Sequence, residues 1–309
     1  MEGNIEIAQS LFQQNKYQET IDTCNQILTN DNNSIEALKL IAKSFLATRK
    51  IDDARIYLNK ALNIKPDDFE LIKDLGNTYQ AIGKINTAKN YYQKAIEINN
   101  SYAPALTNLG IIELNTGSKQ KALSLLIEAT KCDPRLAPAW GNLANGYVQL
   151  GKTHDAEIAC SKLIKLNPSL FSSHFLLGTI LIEQKKLKEA EQSLRKTIEL
   201  KPDLAEAHSN LGIILRDLGK LKEAEISQRK AIEIKPDSAK AHSNLGNILK
   251  DLGKLKEAEV FTRKAIEINP KLAKAYFNLS GLKYSNSNND IWKNQLFSKN
   301  ILDDKSQVE

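Results

Sequence analysis

Cysteine is scarce in this chain. Cys24, Cys132 and Cys160 are the only three in 309 residues, and none are spaced as CxxC, so they form neither a disulfide framework nor a zinc site. That scarcity fits a reducing compartment. Glycine (14) and proline (8) are also sparse, which leaves few turn-formers and argues against ordinary globular domains. No run of about 18 apolar residues occurs, so no membrane partner is expected. The opening MEGNIEIAQSL lacks the basic leader and apolar block of a signal peptide. These absences predict a cytoplasmic protein.

An excess of charge of one sign is missing as well. The 43 basic and 37 acidic side chains sum to +6. In consecutive 34-residue blocks, however, the net charge runs only from −4 in the first to +3 in the eighth, with both signs interleaved. Nucleic-acid contact wants a basic stripe, so no nucleic-acid partner is expected. The chain is instead 41% hydrophobic and 26% charged, which suits amphipathic helices and excludes a disordered chain.

Those residues recur with a fixed period. Residues 205–238 and 239–272 are identical at 25 of 34 positions, and stepping back by 34 gives block starts at 171, 137, 103, 69, 35 and 1 without insertion or deletion. Within a block, position 8 is always small (Ala8, Ala42, Gly76, Gly110, Ala144, Gly178, Gly212, Gly246, Ser280). Position 20 is Ala from Ala54 to Ala258, and position 27 is Ala in five blocks. Leu at position 7, with positions 4, 8 and 11, makes the i, i+3, i+4, i+7 stripe of a first helix. Positions 17, 20, 24, 27, 28 and 30 make a second. Position 15 is often Gly, suited to a left-handed helix end. Pro at position 32 stops the second helix, and Asp67, Asp203 and Asp237 after it are expected to cap the next first helix.

On this 34-residue period, small at 8, Ala at 20 and 27, Leu at 7, large residues at 4 and 11 and Pro at 32 resemble the tetratricopeptide repeat. The resemblance implies an all-α fold, a right-handed superhelical solenoid of helix-turn-helix repeats stacked on their neighbours. It predicts a degenerate N-terminal capping repeat over 1–34, where Thr20, Ile27 and Asn32 depart from the pattern. Seven repeats follow, starting at 35, 69, 103, 137, 171, 205 and 239, then the first helix of a ninth over 273–284 and a non-repeat tail over 285–309. The tail, with Trp292 where position 20 needs Ala, resembles the junction preceding the sulfotransferase domain of cyanobacterial repeat proteins. Its apolar residues scatter round a helical wheel and want burial, either on the ninth helix or through self-association at the C-terminal end.

Candidate chemistry is thin. His174, His208 and His242 share position 4, where large packing residues such as Trp140 and Tyr276 also stand, and a spacing of about 10 Å between repeats is too long for a shared metal ion. They are read as packing residues, and the three cysteines as buried, inert thiols. Glu191–Arg195, Glu225–Arg229 and Glu259–Arg263 are i, i+4 pairs on a solvated face, each contributing a few tenths of a kcal/mol. No catalytic residue, metal ligand or cofactor is expected.

Asparagine is the sharper signal. It occupies position 6 at Asn108, Asn142, Asn210, Asn244 and Asn278 and position 9 at Asn77, Asn145 and Asn247. In the tetratricopeptide family, positions 2, 5, 6, 9, 12 and 13 face the concave groove. An amide offers both a donor and an acceptor to a peptide main chain. The column resembles the asparagine ladder in the repeat arm of O-linked N-acetylglucosamine transferase; the alternative is that Asn at position 6 is simply common in such repeats. Leu176 interrupts it, and Leu40 and Asp74 end it, leaving two stretches, around 108–145 and 210–278. Lys274 joins Asn244 in the nearest approach to a two-carboxylate clamp, but Ser209, Ile213 and Asn278 replace the clamp's other members. The expected function is a non-enzymatic scaffold binding a partner protein or extended peptide. The alternative is the substrate-recruiting arm of a sulfotransferase or glycosyltransferase.

Overall fold

A computed structural model describes residues 2–282. The expectations for the tail from 285 onward, Trp292 and C-terminal self-association included, lie outside the described residues. All seventeen described elements are α-helices, and the chain divides into two compact units. The N-terminal unit, Met1–Lys152, holds α1 (Glu2–Gln13), α2 (Tyr17–Asn30), α3 (Ile35–Ala47), α4 (Ile51–Ile64), α5 (Phe69–Ala81), α6 (Ile85–Ile98), α7 (Ala103–Asn115), α8 (Lys119–Cys132) and α9 (Ala137–Val148). The C-terminal unit, Thr153–Glu309, holds α10 (Thr153–Leu166), α11 (Phe171–Glu183), α12 (Leu187–Leu200), α13 (Ala205–Asp217), α14 (Leu221–Ile234), α15 (Ala239–Asp251), α16 (Leu255–Ile268) and α17 (Ala273–Ser280). The fold is an all-α solenoid of antiparallel helix pairs.

Within each unit, a helix pair closes where the first helix presents its small position 8 to position 24 of the second. A Cβ added to Gly76 would lie 2.6 Å from Tyr92 Cε1, and one added to Gly110 would lie 2.9 Å from Leu126 Cγ. Position 20 supplies the other half of the approach: Ala54, Ala88, Ala122, Ala190, Ala224 and Ala258 are fully buried. The turn between paired helices is left-handed at position 15, with φ +75° at Gly83 and +77° at Gly219. Asn15, Arg49 and Lys185 hold the same conformation, near φ +60°, without the freedom of glycine.

The loop between repeats is held differently from expectation. Asp67, Asp203 and Asp237 do not cap the following helices. The cap of α5 is Asp68, one residue later, which accepts from the amides of Glu70 and Leu71; Ser238 caps α15, and α13 starts after Leu204 with no side-chain cap. Position 31 does part of the work, since Asp31, Asn99, Asp133 and Asn269 each accept from the amide two residues on. Position 4 closes the loop from the far side. Trp140 Nε1 donates to the Pro134 carbonyl at 3.0 Å, and Nε2 of His174, His208 and His242 lies 2.8–2.9 Å from the carbonyls of Pro168, Pro202 and Pro236. The histidines therefore pack and also tie each loop to the first turn of the helix that follows.

The second helices of the C-terminal unit carry an ion-pair ladder that crosses repeats. The pairs Arg195–Glu191 and Arg229–Glu225 form as expected, but each Arg also reaches forward, to Glu223 at 2.6 Å and Glu257 at 2.7 Å. Each Glu meanwhile receives a lysine from the next repeat, Lys220 on Glu191 and Lys254 on Glu225, both at 2.8 Å. Glu191 is buried, not solvated as expected. Hydrogen bonding from Lys220 holds its carboxyl below the ordinary range against the opposing effect of burial, with Arg195 adding to the shift.

Candidate functional site

The asparagines occupy two settings. In the N-terminal unit, α5 and α7 bring Asn77 and Asn108 together: Asn108 Nδ2 donates to Asn77 Oδ1 at 2.8 Å. Tyr92 enters from α6 at position 24, its ring fully buried and its hydroxyl 2.8 Å from Asn77 Oδ1 and 2.6 Å from Gln80 Oε1. Burial raises the Tyr92 hydroxyl far above its ordinary pKa, which keeps it a donor. Asn77 Nδ2 in turn donates to Asp74 Oδ1 at 3.3 Å, and Lys73 pairs with Asp74. This is a closed polar network spending its amides on itself. Asn142 donates to Pro138 O of its own helix at 2.8 Å, and Asn145 is exposed on the same α9.

In the C-terminal unit, Asn210 on α13 and Asn244 on α15 line one cavity of about 430 Å³. Phe175 and Ile213 supply its apolar wall, Ser209 and Lys240 part of its polar one. Asn244 Nδ2 sits 3.5 Å from Ser209 Oγ, at the outer limit of a hydrogen bond. Below them Gln228, fully buried at position 24, donates to Ser209 Oγ at 3.0 Å and to the Ala241 carbonyl at 3.2 Å, fixing the hydroxyl from beneath. Asn247 is half-buried on α15, and Lys274 is exposed on α17. Asn278 is 7% exposed, and its Nδ2 donates to Ser243 Oγ at 3.0 Å. Asn210 and Asn244 thus share a cavity, whereas Asn278 is a strut between repeats.

The residues that sequence reasoning did not single out are Ser209, Ser243 and position 24. The signal was present: His-Ser-Asn occurs at 208–210 and again at 242–244, placing a hydroxyl at position 5 beside each amide. Tyr92, Gln228 and Thr262 stand where Leu58, Leu126 and Leu194 stand elsewhere, three polar exceptions in an apolar column.

Among the described residues, no group of three or more His, Cys, Asp or Glu is arranged to hold a metal ion. No described helix is long and apolar enough to cross a membrane. Cys24 and Cys160 are buried, and burial pushes their thiols up to about 11 and about 12. Cys132 is only half-buried and faces Glu128, which departs from the expected burial of all three cysteines.

With the repeat geometry in view, comparison with known families is decisive. A model described as the cilia and flagella-associated protein 70 C-terminal domain, built of tetratricopeptide repeats, matches residues 69–276, and a tetratricopeptide repeat model matches residues 11–76. The chain belongs to the tetratricopeptide repeat family. Similar solved structures include YrrB, described as a tetratricopeptide repeat protein with an unusual peptide-binding site, at 26% identity over 60% of this chain and 96% of that one, with a TM-score of 0.55. The tetratricopeptide fold is also shared with Pseudomonas aeruginosa pilF, at 19% identity over 68% of this chain and 96% of the other, with a TM-score of 0.62. The same holds for the Cut9–Hcn1 hetero-tetramer, at 17% identity over 90% of this chain and 54% of the other, with a TM-score of 0.59. Comparison with curated protein sequences found no match.

Proposed function

We propose that this tetratricopeptide repeat protein is a non-enzymatic scaffold that holds an extended segment of a partner protein against the first helices of its C-terminal unit. One observation carries the reading: the cavity that joins Asn210, Asn244, Ser209 and Lys240 to the apolar walls of Phe175 and Ile213. Amide and hydroxyl groups at one-repeat spacing suit a peptide main chain, which presents donors and acceptors whatever its sequence. Phe175 and Ile213 supply apolar area for one side chain, and Lys235 and Lys240 outnumber Glu206 among the charged lining residues, which favours an acidic neighbour. The peptide-binding site named for YrrB, whose fold matches 60% of this chain, lends support. Asn247, one turn further along α15 than Asn244, is assigned to the same face, Asn278 holds its repeat to the preceding one through Ser243, and Asn142 and Asn145 offer a secondary stretch. Asn77 and Asn108, committed to each other and to Tyr92, are assigned to holding the N-terminal unit.

The test is selection of a displayed library of random 12-residue peptides on the full chain, followed by titration of the enriched peptides against the Asn210→Ala, Asn244→Ala double variant. Loss of two amide contacts is expected to weaken binding at least tenfold, about 1.4 kcal/mol or more. Peptides that bind the double variant as tightly as the parent chain sink this reading.

A further inference from the structure

The two most similar repeats, 205–238 and 239–272, differ at nine positions, and one is position 23: Ser227 in the first, Phe261 in the second. Phe261 fills a defined place. Its ring stacks against His242, centroids 5.8 Å apart and 26° between planes, and the Arg229 guanidinium lies 5.3 Å from its centroid on another side. It packs with Ile232 over Leu245 and Leu249.

Every one of those partners exists 34 residues earlier: His208, Arg195, Ile198, Leu211 and Leu215. The frame is held alike, since Arg195 reaches Glu223 at 2.6 Å where Arg229 reaches Glu257 at 2.7 Å, and both His208 and His242 are tied to a proline carbonyl at 2.9 Å. Only the ring is missing. Ser227 turns its hydroxyl to the His208 carbonyl at 3.0 Å, and those same five residues line an open cavity of about 600 Å³ between α12 and α14. Ile226 stands at its edge, 70% exposed.

We propose that this cavity binds an aromatic side chain, Phe, Tyr or Trp, presented by a partner protein. The neighbouring repeat demonstrates what the frame accepts: a ring stacked on His and Arg over two leucines, the arrangement that favours aromatic over aliphatic occupants. Charge points the same way. Arg195 is paired with Glu191 and Glu223, Lys230 with Glu233, and Glu199 with Lys196. The rim is therefore neutralised from within, and an uncharged ring suits it better than a carboxylate or an ammonium group. The volume exceeds one ring and falls within the usual range of binding cavities, leaving room for the residue beside it against Ile226. None of the residues lining this cavity lines the one between the first helices, so the two sites stand or fall separately.

The experiment is methyl NMR on the full chain titrated with N-acetyl-phenylalanine amide, with N-acetyl-leucine amide as control. Saturable shifts at the methyls of Leu211, Leu215 and Ile226 are expected for the aromatic probe, at least tenfold weaker for the leucine probe. Ser227→Phe should abolish them while circular dichroism stays unchanged, because the next repeat folds with that residue. Phe261→Ser should open a second site, read at Leu245 and Leu249. Absence of saturable shifts in the parent chain, or shifts that survive Ser227→Phe, overturns the proposal. A Trp292→Ala, Phe297→Ala variant that binds the probe tenfold better overturns the partner in favour of the chain's own C-terminal residues. Shifts at Leu211 and Leu215 that appear on raising protein concentration without probe overturn it in favour of a second copy.

Discussion

Replacing Gly76 with Ala sets helix propensity against packing, and the structure says which prevails. Alanine in a helix interior gains about 1 kcal/mol over glycine. The new methyl would lie 2.6 Å from Tyr92 Cε1 and 2.8 Å from Cδ1, whereas carbon contacts are favourable at about 3.5–4.0 Å. The ring must move by about 1 Å, but it is fully buried and its hydroxyl is engaged with Asn77 and Gln80. Overpacking of this kind costs about 1–3 kcal/mol, so after the propensity gain Gly76→Ala is expected to destabilise by up to about 2 kcal/mol. The protein contains its own control: Ala42 occupies the same position in a repeat whose position 24 is Leu58, and both are buried without loss of the fold. In a Tyr92→Leu background Gly76→Ala should therefore be neutral or stabilising, giving a coupling of about 1–3 kcal/mol between the two sites. Urea unfolding followed by far-UV circular dichroism, fitted with nearest-neighbour repeat terms, measures both. An equal cost of Gly76→Ala in the two backgrounds, or a stabilised single variant, refutes the close approach of positions 8 and 24.

Three further outcomes follow from individual contacts. Asn278→Ala should cost about 1–2 kcal/mol, because Ser243, 1% exposed, loses the amide that satisfies it, while Asn210→Ala should stay within about 0.5 kcal/mol; equal melting temperatures for the two variants contradict the assignment. Lys185→Gly should raise stability by about 0.5–1 kcal/mol in thermal unfolding, since Lys185 holds φ +60° where five repeats use glycine. Burial alone would raise the Asp68 carboxyl, but Lys39 and the Leu71 amide outweigh it and hold the folded-state pKa below the ordinary value. Its contribution is thus complete above the unfolded-state pKa of about 3.9 and lost as pH falls through the folded one. Asp68→Ala should destabilise by about 1–2 kcal/mol at pH 7, with the difference from the parent shrinking below about pH 4; a pH-independent gap removes the ion pair from the account.

Much of the fold was legible because a helix is a local object. The 3.6-residue stripes, Gly at position 15 and Pro at position 32 act within a few residues of themselves, and the helix pairs follow from them. The cap of α5 was misplaced by one because Asp67 and Asp68 are chemically equal neighbours, and only backbone geometry at Asp68, φ −75° and ψ 99°, aims its carboxylate at the amides of Glu70 and Leu71. The site was half legible. Position 6 drew notice as a column of identical amides, yet its members have different partners: Asn108 binds Asn77, Asn142 its own helix, Asn278 a buried serine, and Asn210 and Asn244 a shared cavity. What separates them lies at position 5 or 24, or one repeat away, where no helical period points.

The sequence by itself determined that this protein is an array of paired helices with a 34-residue period, because the period and the small residues at 8, 20 and 27 leave no other way to bury the apolar stripes. Only the tertiary structure decided which amides remain for a ligand and where a ring is missing. Ser227 and Phe261 are one exchange among nine in a near-perfect repeat. Its consequence, a filled gap in one repeat and a cavity of about 600 Å³ in the other, depends on side chains contributed by three helices at once.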